Sequence, residues 1–340
     1  MISFLNDYNV LGCDQVMKSL YELRKEYNEG YAEDYHTKNA ISLIKKAINK
    51  DSDIYFLSGG TQTNRIGLYQ MLKPYEAVIC VEEGHINVHE TGAIESTGHK
   101  VIPTKGIDGK IDLREVEKVL EFHNNSHLVM PKVIYITDST EIGTIYTLKE
   151  LKEISDFCKK NNLYLYLDGA RLGVALNSIN NDITLQDLAN YTDVFYIGAT
   201  KNGAPLGEAL IINNESLKSN FKYLLKNQGG LIAKGFLCGI IFETLFSNDL
   251  YNKNALNSLD KALKLRNLFN KYGIKEAYPN PTNQIFVYLP EEKAREIGKH
   301  VLFELWEKKD VSIYRFVTNF NTSDSDIEEF EKILNKAQNN

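Results

Sequence analysis

The sequence predicts an α/β protein: a large domain with a mostly parallel, buried sheet and helices on both faces, then a smaller C-terminal α/β subdomain. Three observations predict it. Short apolar runs at 54–57, 77–81, 132–137, 163–167 and 194–197 have the length and the β-branched or aromatic content of buried strands. Helical periodicity fills several of the intervals, as parallel strands need for their crossovers. From about residue 248 strands and helices alternate again on a smaller scale. The expected division is an N-terminal arm at 1–13, a large domain at 14–247 and a small domain at 248–340.

Taken in order, residues 1–13 read as an extended arm, and 14–28 as a helix with Val16, Leu20 and Leu23 on one face. A loop at 30–37 precedes an amphipathic helix at 37–49, apolar at Ala40, Ile41, Ile44, Ala47 and Ile48. The 54–57 strand runs into SGGTQTN at 58–64 and an apolar helix. Glycines there let backbone N–H groups point at an anion, and the helix N-terminus adds a favourable dipole. A glycine-rich strand-to-helix turn with no ligand would look the same.

The 77–81 strand is followed by Gly84, His85, His89 and Glu90, and the 132–137 strand by Asp138, Ser139, Thr140 and Glu141. A helix at 147–161 crosses back to the 163–167 strand. Helices at 217–226 and 231–245, joined by Gln228, Gly229 and Gly230, place Lys234 early in the second. The C-terminal part reads as a helix at 253–272, a strand at 282–289 with one face buried, a helix at 291–308, a strand at 312–317 and a helix at 325–337.

Composition narrows the setting. The chain has 340 residues, 43% hydrophobic and 25% charged, with net charge −6. That is an ordinary globular balance, and the negative charge argues against a nucleic-acid or anionic-membrane partner. No apolar run reaches membrane-spanning length, and the N-terminus lacks a basic stretch followed by an apolar one. Cys13, Cys80, Cys158 and Cys238 show neither disulfide nor metal-ligand spacing, which points to a reduced, cytoplasmic setting. No H-E-x-x-H pattern supports a metal.

The chemistry concentrates at the ends of two strands. Asp168 ends the first and is followed by Gly169, Ala170 and Arg171; Thr200 and Lys201 follow the second. Parallel sheets place ligands outside the carboxyl ends of their strands, so a carboxylate, a guanidinium and an amine should meet over one edge. Alone, each has an ordinary reading: a solvated lysine, a turn aspartate, a surface arginine. Jointly they suit pyridoxal phosphate. A lysine amine forms a Schiff base with its aldehyde, a carboxylate keeps its ring nitrogen protonated, and an arginine grips an amino acid's carboxylate.

The Asp168-Gly-Ala-Arg171 run followed by Thr200-Lys201 resembles the threonine aldolase and β-eliminating lyase family, which has the aspartate-aminotransferase-type fold (fold type I). The resemblance extends along nearly the whole chain. It implies that Gly59, Gly60 and Thr61 cradle the cofactor phosphate, that His85 stacks on the ring, and that Ala170 and Thr200 also contact the cofactor. It implies that Lys234 reaches a neighbouring subunit's phosphate, so a homodimer or homotetramer with shared sites is expected. Tyr314-Arg315-Phe-Val-Thr318 resembles the family's Arg-x-Val-Thr segment, whose arginine helps bind the substrate carboxylate, a task shared with Arg171.

One departure bears on the substrate. Threonine aldolases carry Asn-Thr-His where this chain has Ser139, Thr140 and Glu141. Their histidine reaches the substrate's β-hydroxyl; here Glu141 is the candidate base, or a structural residue. The implied reaction is retro-aldol cleavage of a β-hydroxy-α-amino acid to glycine and an aldehyde. Elimination, racemisation, transamination or cofactor binding without turnover stand as alternatives. A dinucleotide-binding protein is disfavoured, because no strand is followed by G-x-G-x-x-G.

Overall fold

The structure, a computed structural model, describes residues 1–339. Seven strands form its central sheet: β1 (Asp53–Leu57), β2 (Glu76–Val81), β3 (Lys100–Thr104), β4 (Met130–Thr137), β5 (Tyr164–Asp168), β6 (Val194–Gly198) and β7 (Glu208–Ile212). Their spatial order is β3-β2-β4-β5-β6-β7-β1. Neighbours from β3 to β6 pair in parallel. β7 is reversed, antiparallel to both β6 and β1, so β1 points the same way as β6.

The sheet is buried on both faces, and its strands therefore read as continuous apolar runs. Along β5, Leu165 and Leu167 pack on one side and Tyr164 and Tyr166 on the other; β6 divides Phe195 and Ile197 from Val194 and Tyr196 in the same way. Helices Tyr35–Ile48, Leu148–Lys160 and Phe236–Phe246 cover the first side, through Ile44, Leu151 and Ile241. Helices Gly60–Met71 and Phe221–Asn227 cover the second, through Ile66 and Leu225. Thr147 starts the Leu148–Lys160 helix with a capping box: its side chain accepts from the Glu150 amide, and Glu150 reaches back to the Thr147 amide.

A three-stranded antiparallel sheet follows, with β8 (Gln284–Tyr288), β9 (Glu304–Glu307) and β10 (Ile313–Val317) in the order β8-β10-β9. Its core joins Phe269, Phe316 and Phe330 to Phe4 of the arm. The arm is woven into this unit. Ile2–Ser3 pairs in parallel with Val301–Leu302, and the Val317 amide donates to the Phe4 carbonyl at 2.8 Å.

Several boundaries differ from the sequence expectation. The helix expected at 14–28 is Asp14–Glu22; the chain then turns, and Glu26 reaches His36 Nε2 at 3.0 Å. The helix expected at 217–226 begins only at Phe221, because Asn220 has φ +61°, which an α-helix cannot continue through. The helix expected at 231–245 is Phe236–Phe246, which leaves Lys234 in the turn before it. The helix expected at 291–308 stops at Gly298, and residues 304–307 form the edge strand β9. There Phe303 stacks on Phe316 at 4.6 Å, and strand pairing with β10 overrides helical propensity. The expected strands omit β3, a short edge strand containing Pro103, and β7, which opens on a charged residue.

Candidate active site

Strands running one way present their carboxyl ends at one edge. β1 leads there to Gly59, Gly60 and Thr61, β2 to His85, β4 to Ser139 and Glu141, β5 to Asp168, Ala170 and Arg171, and β6 to Thr200 and Lys201. All of them line one cavity of about 220 Å³. Reversed β7 enters from the same edge and adds its first residue, Glu208. The β5 and β6 turns touch: the Gly198 amide donates to the Gly169 carbonyl at 3.0 Å. A Cβ on Gly169 would lie 1.9 Å from the Tyr196 carbonyl oxygen, so only glycine permits this approach.

Asp168 is buried and accepts four hydrogen bonds. Tyr196 Oη at 2.6 Å and the Ala170 amide at 2.9 Å donate to Oδ1. Tyr135 Oη at 2.6 Å and Asn64 Nδ2 at 2.8 Å donate to Oδ2. Burial alone would raise its pKa, but the His85 charge and the Tyr135, Tyr196 and Asn64 donors hold it below the ordinary carboxyl value. Burial and the Asp168 charge push both phenols well up, so they remain protonated donors.

His85 belongs to the same network. Its Nδ1 lies 2.8 Å from Glu90 Oε1, which also accepts from Asn64 Nδ2 at 2.8 Å. Burial opposes the imidazolium, but the Glu90 bond and the Glu141 and Asp168 charges outweigh it, against Lys201, and raise the pKa. At Lys201, burial and then the Arg171 charge lower the pKa against Asp7, Glu141 and Asp168. That shift favours the free amine a nucleophile needs.

Arg171 lines the cavity, but its fork is engaged by the arm. Nε donates to Asp7 Oδ2 at 2.8 Å and Nη2 to Oδ1 at 3.1 Å, while Asn283 Nδ2 donates to the same carboxylate at 3.1 Å. Arg315, on β10, does not line the cavity, though its charge and that of Arg171 interact. It donates from Nη1 to Gln284 Oε1 at 3.1 Å and from Nη2 to Glu304. Its Nε is buried without a partner among the described residues, and its guanidinium lies 4.8 Å over the Trp306 ring. Lys234 is exposed and outside the cavity.

Sequence reasoning did not single out Asp7, Asn64, Tyr135, Tyr196 or Glu208. Asn64 sat within the quoted SGGTQTN stretch. The tyrosines stand two or more residues inside apolar runs, where they read as core, and nothing in the arm marked Asp7.

The arrangement holds an amine nucleophile, an ionised carboxylate with its own donors, and a glycine-rich helix start. Gly60, Thr61 and Gln62 begin a helix, so their amides have no intrahelical carbonyl to reach and are suited to an anion. The sheet and its helices have the aminotransferase-type fold. Aspartate aminotransferase from Thermotoga maritima superposes with a TM-score of 0.74 at 16% identity, over 100% of this chain and 92% of that one, a likeness of fold alone. Threonine aldolase from Leishmania major superposes with a TM-score of 0.97 at 42% identity, over 99% of both chains. Low specificity L-threonine aldolase from a Pseudomonas species is 28% identical over 282 residues, 82% of each chain. The Candida albicans protein of that name is 26% identical over 316 residues, 89% of this chain and 81% of the other. The β-eliminating lyase family matches residues 4–292, and the chain belongs to it.

Proposed function

We propose that this protein is a pyridoxal-phosphate-dependent lyase that cleaves a threonine-like β-hydroxy-α-amino acid to glycine and an aldehyde. One observation carries the reading: Lys201, Asp168 and the cradle of Gly59, Gly60 and Thr61 line a single cavity. The match to the Leishmania major threonine aldolase supports the substrate class.

The residues fit the cofactor. The free amides at the helix start suit its phosphate, an ionised Asp168 suits a protonated ring nitrogen, and a buried amine suits its aldehyde. When bound, the cofactor supplies an electron sink for the pair left on Cα as a bond there breaks. Asp168 would keep the ring nitrogen protonated, with Tyr135, Tyr196 and Asn64 fixing the carboxylate. His85, oriented by Glu90, would stack on the ring. Ala170 and Thr200 complete the binding wall. Lys201 would hold the cofactor aldehyde and, as a free amine, would move protons at Cα. Arg171, its fork still held by Asp7, and Arg315, on leaving Gln284 and Glu304, would orient the substrate carboxylate and so select which Cα bond breaks. Glu141 takes the proton from the β-hydroxyl. Lys234, exposed on this chain, serves a neighbouring subunit of a homodimer or homotetramer. The four cysteines are free and buried, in keeping with a cytoplasmic enzyme.

The test is product identification. Purified protein loaded with pyridoxal phosphate and given L-threonine is expected to release glycine and acetaldehyde in equal amounts. Ammonia with a keto acid, an inverted amino acid, or no product from any β-hydroxy amino acid would overturn the reading.

A further inference from the structure

The reversed strand brings a carboxylic acid into the cavity beside the anion cradle. Glu208 is 3% exposed and is the first residue of β7. In the sheet it stands opposite Leu57, the last residue of β1, and opposite Gly198, the last of β6. Those two strands lead to the cradle and to Lys201. Glu208 Oε1 accepts from the Thr200 hydroxyl at 2.8 Å, and Oε2 accepts from the Ala199 amide at 3.2 Å.

A phosphate dianion and a carboxylate in one small buried volume repel strongly, and the carboxylate answers by taking a proton. We propose that Glu208 is a positioning residue that couples one proton to phosphate binding in the cradle of Gly59, Gly60 and Thr61. Ionised, Glu208 draws the Thr200 hydroxyl to itself and opposes the phosphate. Protonated, it offers an O–H to the phosphate and leaves the Thr200 hydroxyl free to turn there. The proton comes from solvent as phosphate enters and returns as it leaves. This rests on the pyridoxal-phosphate reading above.

The surroundings favour such a change. Burial pushes the Glu208 carboxyl up to about 8, against the Thr200 bond, the Lys201 charge and the Ala199 amide, and with the Asp168 charge. The other titratable groups it faces are Tyr166 of β5, Tyr196 of β6, Cys238 of the Phe236–Phe246 helix and Tyr251 of the Leu250–Lys271 helix. All four have raised pKa values and stay neutral through this range, so Lys201 and Asp168 are its charged neighbours.

The test uses inorganic phosphate as a probe without an aldehyde, titrated into cofactor-free protein between pH 7 and 9.5. Above about pH 8 its Kd is expected to rise by up to about tenfold per pH unit, because each phosphate bound then needs a proton. Glu208→Gln, neutral at every pH, should flatten the part of that slope owed to Glu208; any remainder reports Lys201 and His85, which line the same cavity. An equal slope in Glu208→Gln, or no slope in the wild type, overturns the proposal. A variant-free measurement stands beside it. In weakly buffered solution at pH 8.5, pyridoxal phosphate should take up about three quarters of a proton more per site than pyridoxal, the share of Glu208 that is ionised there. Equal uptake overturns the coupling alone, whereas failure to load pyridoxal phosphate at pH 7 overturns the cofactor reading itself.

Discussion

Arg171 and Asp7 form a two-pronged ion pair, at 2.8 and 3.1 Å, that fastens the N-terminal arm across the end of β5. Both side chains are buried. Removing one partner of a buried pair strands the other, at a cost of about 3–5 kcal/mol. Asp7→Asn is therefore expected to lower the unfolding free energy taken from denaturant curves by an amount in that range. The pH dependence follows from Asp7's acidity. Burial would raise it, but the Arg171 and Lys201 charges and the bonds from Arg171 and Asn283 hold it below its ordinary value of 3.8. A carboxyl lowered on folding contributes stability that is complete above about pH 4 and is lost as the pH falls further. Unfolding curves of the wild type should show that acid-side loss and those of Asp7→Asn a shallower one, because Asp168 is also held below its ordinary value. Equal slopes would remove Asp7 from this role.

Asp168→Asn keeps the shape of the site and removes the charge that, on the proposed reading, would face the ring nitrogen. Bound cofactor should be retained by absorbance, while kcat falls by about a hundredfold or more, the usual scale for losing one preorganised electrostatic group. Turnover near the wild-type rate would exclude Asp168 from an electronic part in the reaction.

Glu141 lines the cavity, and the proposed reaction makes it the base for the β-hydroxyl proton. If it takes that proton, Glu141→Gln should lower kcat on a β-hydroxy amino acid by about a hundredfold to ten-thousandfold. The absorbance of the bound cofactor should not change. A loss of less than about threefold would assign the proton to another group, with His85 the next to test.

Lys234 is solvent-exposed on the single chain. Sedimentation is expected to show at least a homodimer, and Lys234→Ala should weaken cofactor retention without dissociating it. A monomer that stays active at every concentration would contradict shared sites.

What was legible in the sequence follows a physical pattern. Strands ending in a reactive group announced themselves, because Asp168 and Lys201 interrupt apolar runs that burial requires. The α/β architecture followed from those runs. The supporting shell was hidden for the opposite reason. Tyr135 and Tyr196 are as apolar as any core residue except at one oxygen, and that oxygen finds Asp168 only after folding. Asp7 meets Arg171 across 164 positions of sequence, a pairing that no local pattern encodes. Glu208 was hidden because β7 is not among the expected strands, and only the reversal of that strand brings its first residue to the site. Residues 304–307 were read as helix because Glu and Leu suit one, whereas pairing with β10 decides their state.

Trp306 is the only tryptophan in the chain. Its indole lies under the Arg315 guanidinium at 4.8 Å and edge-on to Phe286 at 5.1 Å. Ultraviolet emission excited at the red edge therefore originates at one known point of the molecule. A carboxylate that draws Arg315 off the indole alters the fluorophore's immediate neighbour. If Arg315 meets the substrate carboxylate as proposed, the protein carries its own optical gauge of ligand arrival, readable with no label, no turnover and an amino acid as plain as glycine.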